Sequence, residues 1–525
     1  MLTLRIRLLN GLDRALAVAM IGLLLGASLA FGGSVWWGRP AIVGLSFAVA
    51  MAWLARAALA GPWRVLKSPL TAMGAMALAL GLVQLVPLPA EVVGRLSPRS
   101  LAANATGVIP GRALADDPAA EIPAGLSVRT PLTLDRPATL RWLVGATACL
   151  AIFWVASSYS DRLGHARVIW GSVVAAFFVN AVLGTVQLAN GSNGLYGHLT
   201  PGSGPAWAPT LDDALAAPTA TLLRPVGLAV AGEPGADRPT LAAARPIRPF
   251  LVGSLMGGPG AFLALGSLAL PLALGLLLQA LSPRGSREGL LLRLRDSGQG
   301  SQVALMLGLI AAGSVLVGIM AGRWAIAPFA VGLALVGVLG TWSSGIRKTG
   351  LAITTLTLAA MAGGVAIGES SRELSASTGL PRVDGEGARR TWAESRPILR
   401  DFPVFGAGLG TFATVHPYYK ARDAAPGTAM SSLAQWAVES GTVGLGLLAT
   451  AGLWCLARLP GSIRRVGTAD RPLAFGLLGS MACFGLFSAI HWTVELPAIA
   501  LAAAAIAGTG NRWLAGGTDL FVDRG

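Results

Sequence analysis

The chain has 525 residues, of which 54% are hydrophobic and only 12% charged, with 69 Gly, 4 His and 3 Cys and a mean hydropathy of +0.64. Soluble domains carry about 25% charged residues and disordered chains lack this much apolar surface, so both classes are excluded. The formal net charge of +15 invites a nucleic-acid reading, which has to be tested on where the 40 Lys and Arg residues fall.

A helix needs about 20 apolar residues to cross the hydrocarbon core. Twelve stretches approach that length: 14 to 32, 40 to 58, 69 to 88, 139 to 158, 167 to 189, 259 to 281, 301 to 321, 325 to 343, 350 to 368, 431 to 457, 472 to 490 and 494 to 510. The expected fold is an all-α polytopic membrane helix bundle of about twelve transmembrane helices in a single membrane domain. The first stretch, with Ser28 and Ala30 after basic flanks, also has the form of a cleavable signal peptide. The other eleven keep their orientation either way.

With the N-terminus in the cytoplasm, 20 of the 40 basic residues and only seven of the 25 acids lie on the cytoplasmic side, in roughly half the loop length of the other side. That bias predicts two cytoplasmic termini and explains the basic pI by topology, with no nucleic-acid partner. Three long loops, 89 to 138, 190 to 258 and 369 to 430, then fall outside. Loops of that length carry function or disorder. Cys149, Cys455 and Cys483 sit inside apolar runs, so neither a disulfide framework nor a metal site is expected.

Polar groups at a membrane rim are functional candidates because lipid penalises them. Gln84, Gln187, Arg323, Gln435, Glu439, His491 and Glu495 cluster at the outer ends of their segments, while Asn180 alone is mid-membrane. Arg323 sits in a very short connection at the headgroup plane, where a bidentate phosphate contact suits a guanidinium. In the third loop Arg389, Arg396 and Arg400, at spacings of seven and four, form one stripe within about 40° on a continuous helix. Pro397 opposes that continuity and suggests a second short helix capped by Ser395. Arg390, and Arg248 in the middle loop, are further basic candidates on the same side. The run Gly406, Gly408, Gly410 lacks a preceding strand and reads as a flexible turn that lets backbones approach, not as a nucleotide loop.

The stretch Arg400-Asp-Phe-Pro-Val-Phe-Gly-Ala-Gly-Leu-Gly-Thr-Phe412, followed by His416-Pro-Tyr-Tyr419 and Glu439-Ser-Gly-Thr-Val-Gly444, resembles the signature region of the bacterial O-antigen ligase and polymerase family. Val86-Pro-Leu-Pro89, Ala181 to Gln187 and His491 with Pro497-Ala498 follow in the same order. The resemblance implies a multi-pass inner-membrane glycosyltransferase that moves a glycan from an undecaprenyl diphosphate carrier to a hydroxyl of a lipid, glycan or protein acceptor. Arginines would hold the diphosphate, with no cofactor and no obligatory metal.

The sequence departs from that family at three motifs. The His and Asn pair usual before the Gln and Glu of this helix is replaced by Thr428-Ala-Met-Ser-Ser-Leu-Ala-Gln435. The Asn-rich motif before the sixth span reads Met256-Gly-Gly-Pro-Gly260, and the Ser-Arg-Gly motif reads Ala321-Gly-Arg-Trp324. Within the resemblance Glu439 is the first candidate for the base that takes the acceptor proton, followed by His416 and His491. Arg323, Arg389, Arg390, Arg396 and Arg248 are the diphosphate candidates. The missing pair makes an inactive scaffold in polysaccharide assembly the alternative. A lipid or saccharide transporter would need polar groups through the whole membrane depth, and the inner half is empty.

Overall fold

Long runs of Leu, Ala, Val and Gly offer lipid no partner for a backbone amide, so only a helix can satisfy the main chain there. The computed structural model describes residues 2–33, 37–60, 68–106, 109, 129–160, 163–189, 251–252, 255–256, 258–282, 297–340, 347–370, 385–419 and 431–515. Its helices are α1 (Leu2–Leu29), α2 (Gly38–Ala60), α3 (Pro69–Leu85), α4 (Ala90–Leu96), α5 (Pro98–Thr106), α6 (Arg136–Tyr159), α7 (Leu163–Ala189) and α8 (Gly258–Leu281). There follow α9 (Ser297–Met320), α10 (Arg323–Ala334), α11 (Arg347–Ser370), α12 (Gly385–Asp401), α13 (Phe412–Val415), α14 (Ser432–Arg465), α15 (Arg471–Ile490) and α16 (Pro497–Leu514). A two-residue antiparallel ribbon, β1 (Leu251–Val252) with β2 (Leu255–Met256), precedes α8. Starts are marked by side-chain caps: Ser68 accepts from the Leu70 amide, Asp135 from Ala138 and Ser431 from Ala434.

Among the described residues nine helices, α1, α2, α6, α7, α8, α9, α11, α14 and α15, are long and apolar enough to cross a membrane. The class is therefore an all-α membrane protein. The other three expected segments fall on α3, which has 17 residues, on α10 with its π-turn continuation to Leu339, and on α16, whose last turns carry Asn511 and Arg512. The stretch with signal-peptide character is packed as α1, burying Leu16, Met20, Leu23 and Leu24 in the core.

The centre of the bundle is α8, buried on every side against α7, α9, α10 and α15. Lipid is as apolar as Leu, so helix association rests on close packing at small residues. A Cβ on Gly275 would stand 2.8 Å from the Gly476 Cα, which joins α8 to α15. One on Gly318 would stand 2.1 Å from the Met361 carbonyl oxygen, joining α9 to α11. Gly318→Val should therefore destabilise the protein by about 1–3 kcal/mol, since backbone cannot move aside as a side chain can. Thermal unfolding in detergent checks this, and an unchanged midpoint would contradict the packing.

Polar contacts gather in two layers at opposite ends. One joins Asp13 to Arg56, the Tyr159 hydroxyl to the Asp13 carbonyl (3.2 Å), Arg167 to Gln279, Gln279 to Asp470, and Ser68 and Ser157 to Asn511. The other holds Gln84, Asp135, Arg323, Gln435, Glu439 and His491, in the alternation expected of an up-and-down bundle. Mid-membrane Asn180 is satisfied within its own helix, donating to the Ala176 carbonyl at 2.8 Å.

Candidate functional site

The second layer is built around the glycine run. Gly406, Gly408 and Gly410 all have positive φ (71°, 119° and 79°), and so does Gly441 (62°), which breaks α14 about two and a half turns below its start. The break opens the carbonyls of Val438 and Glu439, which accept from the amides of Ala407 (2.9 Å) and Gly408 (3.2 Å). Thr442 and Val443 donate back to Pro403 and Val404 at 2.8 and 3.2 Å. A Cβ on Gly406 would meet the Glu439 carbonyl at 2.4 Å. Close approach was legible in the glycines; flexibility is the wrong description, because the turn is bonded to α14, to Gln84 of α3 and to Leu134.

Gln84, fully buried at the end of α3, locks this splice. Its amide nitrogen donates to the carbonyls of Phe405 (2.7 Å) and Glu439 (3.0 Å), and its side-chain oxygen accepts from the Leu409 amide (2.9 Å). Glu439 is 2% exposed, and its Oε1 accepts from the Phe412 amide and from the Gln435 amide, both at 3.1 Å. Its carboxylate thus anchors the start of α13.

His416, 3% exposed, stacks on Phe412 with centroids 4.7 Å apart, and its Nε2 lies 2.9 Å from Glu394 of α12. Glu394 also pairs with Arg390 at 3.4 Å. Further ties hold this segment: the Tyr419 hydroxyl donates to Asp401 (2.6 Å) and the Thr414 hydroxyl to Asp135 (2.8 Å). Burial and the Asp401 carboxylate push the Tyr419 phenol above its ordinary range.

Helix α12 runs unbroken through Pro397, so no second helix begins at Ser395, which is buried. The bond that Pro397 cannot make would go to the Ala393 carbonyl, and Ala393 lies on the exposed face, where solvent replaces it. Ala388, Thr391, Ser395 and Ile398 form the buried face; Arg389, Arg396 and Arg400 are exposed on the other. None of these three has an ion pair among the described residues. Arg323 is 79% exposed and pairs with Glu369, Nε to Oε1 at 2.9 Å. The Trp324 side chain abuts Gly385, so α10 and α12 start at one corner. Glu439 lies apart from that corner, beside the far half of α12. Arg248 and residues 420–430 are outside the described residues.

His491 caps the end of α15 and stacks between Phe487 and Trp492; its Nδ1 is 2.8 Å from the Trp492 carbonyl oxygen. Gly260 lies directly beneath it, where a Cβ would come within 2.0 Å of the ring. This explains a glycine at the end of the departing Met256 to Gly260 motif. Burial lowers the His491 pKa to about 4. The folded state therefore binds the proton less than an unfolded chain at about 6.5, and stability falls as pH falls through that window, by up to about 3 kcal/mol. Thermal unfolding at pH 7 and pH 4.5 should show the loss, and His491→Gln should flatten it. An equal slope in both proteins would refute the assignment.

Sequence reasoning placed Gln84 and Gln435 at the rim without giving them roles, and missed Glu394 and Asp135. Glu394 had a signal, standing one helical turn after Arg390. No protein-family model matches the chain, and no curated protein matches it.

Proposed function

We propose that the protein binds a polyprenyl-diphosphate-linked glycan at the outer face of the bacterial cytoplasmic membrane and transfers the glycan to a hydroxyl acceptor, in the manner of the O-antigen ligase family that its sequence resembles. The bundle is read as twelve spans with both termini in the cytoplasm. The observation that carries the reading is the face of α12: three exposed arginines with no ion pair among the described residues, on a helix braced against α14 and α15 and starting beside Arg323.

In this mechanism Arg389, Arg396 and Arg400 hold the diphosphate, with Arg323 at the corner. Their charge stabilises the leaving group as the glycosidic bond to phosphate breaks, which is the larger part of catalysis. Of the three candidate bases, His416 alone is joined to the arginine helix, through Glu394, and a carboxylate partner orients an imidazole for proton transfer. Glu439 serves as an anchor.

Reconstitution with a labelled polyprenyl-diphosphate glycan and a mixture of hydroxyl acceptors tests the proposal. Transfer is expected; translocation without transfer would reject it. Binding without transfer would establish the second reading, an inactive scaffold in envelope polysaccharide assembly, which the buried, fully engaged Glu439 carboxylate favours. His416→Gln should retain binding and lose transfer.

A further inference from the structure

Helix α14 has a second face. Trp436 and Val438, two residues apart, point to opposite sides of a helix. Val438 packs with Ile398, Phe402 and Phe412, on the side of α12. Trp436 instead borders an open apolar groove of about 260 Å³ between α3, α6, α14 and α16. Gly74, Ala77, Ala146 and Ala504 leave room along it. Trp142 and Trp436, with ring centroids 6.1 Å apart, mark its outer end. The Trp436 indole N–H donates to the Gly444 carbonyl at 3.0 Å, so the ring offers the groove an apolar face.

Two arginines stand near the groove, and Arg141 directly precedes its lining residue Trp142. Cys149 lines the groove and lies within electrostatic reach of Arg39, which in turn feels Arg141 and Glu495. Arg39 donates to the Glu495 carbonyl oxygen at 3.3 Å. Arg141 is exposed and has no ion pair among the described residues. Two guanidinium groups on neighbouring helices repel one another, and one carboxylate, Glu495, offsets them only in part. An indole pair with cations beside it, over an apolar track, is the chemistry of a lipid headgroup with its chain.

We propose that this groove binds one acyl chain of an anionic phospholipid of the surrounding bilayer, with the lipid phosphate between Arg39 and Arg141. An indole pair over one short apolar groove, with two arginines beside it, matches a single acyl chain and its phosphate, so the occupant is a bilayer phospholipid. The site is independent of the transfer reaction and stands if that reaction fails.

Native mass spectrometry of the full chain, delipidated in mild detergent and titrated with phosphatidylglycerol, phosphatidylcholine or polyprenyl phosphate, tests it. The unaltered protein should retain phosphatidylglycerol over phosphatidylcholine. Arg39→Gln with Arg141→Gln should reduce that preference by about thirtyfold, while the Lys pair keeps most of it. Ala146→Trp should abolish retention with both arginines in place. Equal retention of phosphatidylcholine, a preference that survives the Gln pair, or displacement by polyprenyl phosphate at equal mole fraction would each overturn the proposal. Should the Gln pair not yield monodisperse protein, the competition on the unaltered chain decides alone.

Discussion

Replacing Arg389, Arg396 and Arg400 together by Gln is expected to weaken binding of a polyprenyl-diphosphate glycan by on the order of a hundredfold and to leave the protein folded. The three guanidinium groups are exposed, so each contact with the diphosphate is worth ~1 kcal/mol after solvent screening, below the 1.5–3 kcal/mol of a buried charged hydrogen bond. Stability should hardly change, because the buried face of α12 is made by Ala388, Thr391, Ser395 and Ile398. Affinity for labelled donor in nanodiscs, measured at two salt concentrations, provides the check. The unaltered protein should lose affinity with salt more steeply than the variant. Equal affinities and equal salt slopes would remove α12 from donor binding.

A contrast between two substitutions at Glu439 should be nearly as large. Glu439→Ala leaves the Phe412 amide buried without an acceptor, at a cost of about 1–3 kcal/mol, and frees the start of α13 that carries His416. Glu439→Gln keeps an oxygen for Phe412. Its new NH₂ takes the place of Oε2 and leaves both bonds to Oε1, from Phe412 and Gln435, in place. The Gln variant should therefore match the parent in thermal unfolding and in transfer, while the Ala variant loses both. Intact folding with transfer abolished in Glu439→Gln would return the carboxylate to the role of general base.

These expectations show which parts of the molecule could be read from its residues. Membrane helices are written in composition, because lipid leaves a long apolar run no alternative to a helix, and the positions of nine such helices were legible. The segments on α3, α10 and α16 are shorter or carry polar ends, so they fall short of the length and composition that the nine reach. The stripe of Arg389, Arg396 and Arg400 followed from helical periodicity. Pro397 hid its continuity, since the rule against internal proline holds only where the orphaned carbonyl has no water. Glu439 depends on its surroundings in the same way. A carboxylate at a membrane rim signals cost, but only geometry shows whether the compensation comes from a substrate or, as here, from the Phe412 amide and Gln435. Gln84 was marked by its place at the rim, but its role carried no signal, because its partners are the backbones of Phe405, Leu409 and Glu439, far along the chain.

That separation bears on biosynthesis. Gln84 and Glu439 are 355 residues apart in sequence, yet one amide bonds the other residue's carbonyl in the interior. Individual helices enter the bilayer one after another as the ribosome delivers them, each stable by itself. The knot around Gln84 must wait until α14 has emerged, so the site matures as a late, post-insertional step, and a nascent chain halted before residue 439 carries its spans without it.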